Sequence, residues 1–138
     1  MSEMKTIGIT AIVSAGLATL LLVGMLVPML GIHLIHQQKN YSFTVYSGNN
    51  HTIDAAFVSG ERWVISYSST YSISAYLLDE ADFQDYLYNG FINHYINYRS
   101  GSSGSLDYTV SNGGHYYVLF TSSSTASVSV TTTEYHFS

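Results

Sequence analysis

The chain has 138 residues, a formal net charge of -5 and no cysteine. Its 4 basic residues are too few to track a phosphate backbone, which weighs against nucleic acid as a partner. The missing cysteines exclude disulfides, thiolate catalysis and cysteine-based zinc sites together. Only 9 % of residues are charged, and the polar remainder is Ser, Thr, Asn and Tyr, with 13 tyrosines. Such a surface stays hydrated without relying on ionised carboxylates, which hints at an acidic or hot exterior of the kind thermoacidophilic archaea meet.

The first element is an apolar run. Ile7 to Ile35 carries no formally charged residue. As a helix it would extend roughly 44 Å, more than the ~30 Å hydrocarbon core of a bilayer. It is also far longer than the apolar part of a secretory signal, and no small-x-small cleavage site follows it. The reading is a retained transmembrane signal anchor over residues 1–38, with Pro28 kinking it. Lys5 and Lys39 flank the run and barely discriminate orientation. Orientation therefore rests on the remainder, which looks translocated. Ala11/Ala15 and Ser14/Ala18 form small-xxx-small pairs that would let another helix approach closely. Asn40-Tyr41-Ser42 and Asn50-His51-Thr52 satisfy the glycosylation rule at Asn40 and Asn50.

From residue 39 to 138 the apolar period changes to alternation. Eight stretches rich in Tyr, Val, Ile, Phe and Thr read as strands, from "YSFTVY" to "TASVSVTTTEYHF". Turn signals separate them: Ser47–Asn50, Ser59-Gly60, Ser68–Thr70, "RSGSSGS" and "SNGGH". "DEADFQDYLYNG" reads as a short helix with Asp79 as N-cap and Gly90 at its end. The predicted architecture is an all-β antiparallel sandwich of about eight strands with one short helix, preceded by a single N-terminal transmembrane helix. Its predicted core is Trp63, Ile65, Ile73, Ala75, Leu77, Tyr117, Leu119, Val128 and Val130.

"GERWVISYSSTYSISAYLLDEADFQDYLYNG" and "GSLDYTVSNGGHYYVLFTSSSTASVSVTTT" together resemble the GOLD and bacterial pre-peptidase C-terminal type of β-sandwich. The resemblance lies in Gly60-Glu61 before a strand, in the strand followed by an acidic helix, and in the Tyr116-Tyr117 strand followed by a valine strand. Thr121-Ser122 replaces the Asn or Asp usual after the Tyr-Tyr strand. The resemblance implies a non-catalytic binding or assembly module.

Few constellations carry chemistry. On a helix, His33 and His36 would stand at i, i+3, a spacing able to hold a metal or face a haem, although a helix end solvated by imidazoles is the plainer reading. His51, His94, His115 and His136 are scattered. Asp79, Asp82 and Asp85 could gather carboxylates for Ca²⁺, but acids in a first helical turn also favour the helix dipole. No nucleophile elbow or phosphate loop is present. The expectation is no catalytic residue, no cofactor and no metal site. It is a glycosylated, single-pass accessory subunit at the cell membrane, whose extracytoplasmic domain contacts other membrane subunits. Two alternatives are a structural coat or filament subunit that self-associates, and a small subunit of a respiratory or other redox complex using His33 and His36.

Overall fold

The computed structural model describes residues 34–137. They form six strands and one helix: β1 (Leu34–Val45), β2 (Asn50–Phe57), β3 (Arg62–Asp79), α1 (Glu80–Asn89), β4 (Asn97–Thr109), β5 (Gly114–Thr121) and β6 (Ala126–Phe137). All pairings are antiparallel. The strands build one curled sheet in the order β1-β6-β3-β5-β2, with β4 on the other side of β3.

β3 organises this sheet. Its first part, Arg62 to Ser69, pairs with β6, and its last part, Ser74 to Asp79, pairs with β5. β4 follows β3 through both parts, with a register shift between Ser68 and Ile73. The sheet therefore folds over at this bulge into two halves that face each other. Phe57 meets Trp63 across the gap at 5.6 Å between ring centroids, and Tyr67 meets Phe120 edge-on at 5.9 Å. Trp63, Ile65, Tyr67, Ile73, Ala75, Leu77, Val128 and Val130 all point into this interior, as strict alternation requires. At the bend, Gly104 is obligatory. A Cβ there would lie 2.8 Å from the Tyr67 hydroxyl.

Several sequence expectations are corrected. Six strands replace eight, because two pairs of predicted strands are each one: the segments on either side of Ser68–Thr70 form the continuous 18-residue β3, and those on either side of Gly101–Gly104 join in β4. "RSGSSGS" is not a loop but part of β4, held by pairing with β3 despite its weak strand propensity. Phe91 to Ile96 is irregular, and β4 begins only at Asn97. On β5 the interior set is Tyr116, Val118 and Phe120, so Tyr117 and Leu119 face the other way. Leu119 and Leu78 are nevertheless fully buried, on the outer face where α1 packs. There Phe83 stacks on Tyr117 at 4.0 Å. Strand β1 starts at Leu34, so Leu34 to Gln38 belongs to the sheet and not to a helix running to Ile35.

The helix matches its sequence signals. The Asp79 carboxylate accepts from the Asp82 N–H at 2.8 Å, and the Asp82 side chain accepts from the Asp79 N–H, a reciprocal capping box. Gly90 closes the other end in the left-handed conformation at φ 83°. Among the described residues, no helix is long and apolar enough to cross a membrane. Ala11, Ser14, Ala15, Ala18 and His33 lie outside the described residues.

Candidate functional site

The sequence candidates do not converge. His36 sits on the exposed part of β1, opposite Tyr135, with ring centroids 5.8 Å apart. On a strand, side chains three apart point to opposite faces, so the i, i+3 helical geometry invoked for His33 and His36 does not apply to His36. Asp79 and Asp82 are spent on the capping box, and Asp85 accepts from Asn89 and Asn93. Among the described residues, no group of three or more His, Asp or Glu side chains is arranged to hold a metal ion. Asn40 and Asn50 are both exposed. Asn40 accepts from the Thr131 hydroxyl, and Asn50 donates to the Tyr86 hydroxyl at 2.6 Å.

A connected ionic group lies where sequence reasoning did not look. Glu61 and Glu134 are buried, with 4 % and 5 % exposure. His136 lies between them, Nδ1 at 3.0 Å from Glu61 Oε1 and Nε2 at 2.9 Å from Glu134 Oε1. Lys39 Nζ reaches the other oxygen of Glu134 at 3.0 Å. Glu61 also accepts backbone N–H bonds from Val58 at 2.8 Å and Phe137 at 2.7 Å. Phe57 stacks flat on the imidazole at 5.0 Å. With both carboxylates ionised, both imidazole bonds form together only when the ring carries two protons.

The electrostatics follow from these partners. Burial pushes the Glu61 carboxyl up, but the Val58 and Phe137 N–H groups and His136 outweigh it, and the net shift is downward. Burial pushes Lys39 down, and Glu134 more than reverses this. Both imidazole nitrogens are engaged within the protein, with Glu61 and Glu134. What the group does visibly is join β1, the β2–β3 turn and the end of β6.

Two other surfaces stand apart from this group. A cavity of about 350 Å³ opens beside the start of α1, lined by Asp79, Glu80, Tyr108, Asn112, His115 and Tyr116. Its polar atoms are largely engaged. Tyr116 donates to the Asn112 carbonyl, and Tyr117 donates to Glu80 at 2.6 Å, a bond that pushes the Tyr117 phenol up to about 12. The second surface is aromatic. Tyr76, Tyr95 and Tyr98 pack together with centroids 4.8 to 5.9 Å apart, and Leu87, Tyr88, Phe91 and Tyr95 are exposed. Exposed apolar groups gathered in this way mark contact surfaces.

The chain matches no protein-family model and no curated protein sequence.

Proposed function

We propose that the protein is a non-catalytic accessory subunit: an extracytoplasmic β-sandwich carried by an N-terminal transmembrane helix, which contacts other membrane subunits. The observation that carries this reading is the aromatic cluster of Tyr76, Tyr95 and Tyr98, with Leu87, Tyr88 and Phe91 also exposed in the helix and the segment that follows it. Tyrosine offers a large contact area at low entropic cost and suits such a role. The uncharged run from Ile7 to His33 and its small-residue pairs support a membrane location and helix docking. The resemblance to GOLD and pre-peptidase C-terminal domains points the same way, and sequons at Asn40 and Asn50 fit an exported, glycosylated domain.

The test is purification from native membrane in mild detergent. Larger subunits in fixed ratio are expected, and Ala11→Leu with Ala15→Leu should release them while membrane insertion persists. Recovery of the protein alone in the membrane fraction would overturn the accessory role. A second reading, a coat or filament subunit, has one observation of its own. β1, β2 and β4 each have a single hydrogen-bonded neighbour among the described strands, and such edges are where a second copy would pair. Self-polymers in the same purification would favour it.

A further inference from the structure

We propose that the end of the sheet carrying Ile35, Val58 and Phe137 rests on the lipid surface of a bilayer. This inference deepens the membrane reading and rests on it. Three large apolar side chains from three separate elements are exposed there: Ile35 at 57 %, Val58 at 55 % and Phe137 at 41 %. The elements meet at this end of the fold. Leu34 pairs with Phe137, and Ile35 with His136. The Phe137 ring lies over Gly60, close enough that a Cβ there would be 3.1 Å from it.

This end is held in place from within. One carboxylate, Glu61, takes the N–H of Val58 on one oxygen and the N–H of Phe137 on the other. The two apolar tips are thereby fixed side by side. The charged groups closest to them are turned inward or paired: Glu61 and Glu134 are buried around His136, and Arg62 is bound to Asp107 at 2.6 Å. Asp79, Glu80 and His115 form a polar margin on the α1 side.

The occupant follows from the sequence that precedes β1. β1 starts at Leu34, and the sequence before it carries no Asp, Glu, Lys or Arg from Ile7 to His33. No spacer separates this apolar run from the sheet. If the run enters a bilayer, the end bearing Leu34 is at its surface. Apolar side chains at such a boundary sink about 5–10 Å into the headgroup layer. The opposite end, with Tyr46 and Tyr71, then stands clear, because the 12 residues of β1 extend roughly 40 Å at about 3.3 Å each.

The absence of cysteine makes the test direct. The full chain is made as Val58→Cys, Phe137→Cys or Tyr71→Cys and labelled with one environment-sensitive fluorophore. Each is reconstituted in phosphatidylcholine vesicles doped with headgroup-nitroxide lipid; a zwitterionic surface avoids repelling a chain of net charge -5. Quenching at positions 58 and 137 is expected to exceed that at 71 by about twofold or more. Equal quenching at all three, stronger quenching at 71, or none at any, in protein that floats with the vesicles, overturns this face and leaves the anchor standing. Protein that does not float with the vesicles overturns both readings.

Discussion

Glu61 and His136 are 75 positions apart in sequence, and their side chains meet at 3.0 Å, the carboxylate buried and the imidazole half-buried. The bond ties the turn before β3 to the end of β6. Three of the Glu61 acceptor positions are taken within the protein, by two backbone N–H groups and the imidazole.

Glu61→Gln should therefore be costly. The amide keeps the shape, but its NH₂ would face an N–H donor that has lost its acceptor. Breaking one partner of a buried charged group costs about 3 kcal/mol or more. Urea unfolding of the detergent-solubilised chain measures it, and an unchanged midpoint would show the carboxylate to be dispensable.

Stability should follow pH with a definite sign. Burial lowers the pKa of His51 below its ordinary 6.5, so the unfolded chain takes up this proton first and stability falls as pH drops below about 6.5. Glu61, held below its ordinary 4.5, contributes fully above that pH and loses its contribution as pH falls through the lower folded value. Lys39, raised above 10.5, contributes fully below that pH and fades above it. Asp82, raised from 3.8, partly offsets the acid loss. Tyr117, pushed up to about 12 by Glu80, adds a contribution that fades above its ordinary 10, so the expected profile is a plateau between about 6.5 and 10 with an acid shoulder. His51→Phe preserves the stack on Phe43, now 3.8 Å between centroids, and should flatten that shoulder. Equal melting temperatures at pH 8 and pH 5.5 in the unaltered protein would refute the assignment.

Tyr67 supplies a stabilising substitution. Its hydroxyl is buried without a hydrogen-bond partner. Tyr67→Phe removes an unmet polar group and keeps the ring against Phe120, so a gain of about 1 kcal/mol is expected. Gly104→Ala should act oppositely, by about 1–3 kcal/mol, because its methyl enters the space of that ring. Calorimetry on the pair decides, and a destabilised Tyr67→Phe would mean that the hydroxyl does have a partner.

Trp63→Ala tests the interior. Trp63 is 1 % exposed and meets Phe57 from the facing half of the sheet. Truncation should cost about 3–5 kcal/mol, a large part of a small domain's stability. An equal melting temperature would place the indole outside the load of the core.

Much of this was legible in local pattern. Asp79 and Gly90 delimit α1 through side-chain and backbone chemistry that acts over a few residues, so no tertiary knowledge was needed. Strand character was visible for the same reason. The merging of two strands into β3 was not, because Ser68–Thr70 has turn composition and only its neighbours keep it extended. On β5, Tyr116 to Phe120 is apolar at every position, since α1 covers the outer face. Alternation is absent and the inward set cannot be chosen by period alone. The ionic group had a readable signal that went unused. Continuing the parity of Val128 and Val130 puts Thr132, Glu134 and His136 on the inner face, and two ionisable residues at inward positions call for partners. Glu61, the partner of His136, is remote in sequence and could not be paired with it by spacing.

The pairing of β1 with β6, Leu34 opposite Phe137 and Val45 opposite Ala126, carries a consequence for biosynthesis. Among the described strands, the first to be synthesised has no hydrogen-bonded neighbour except the last. Tyr41 finds its strand partner, Val130, only after β6 has been made. Closing so large a loop comes late and slowly, since the entropy of the intervening chain is lost before any contact repays it. Until then the apolar side of β1 is open to other chains, and a nascent chain stalled before β6 is the form in which this protein would aggregate.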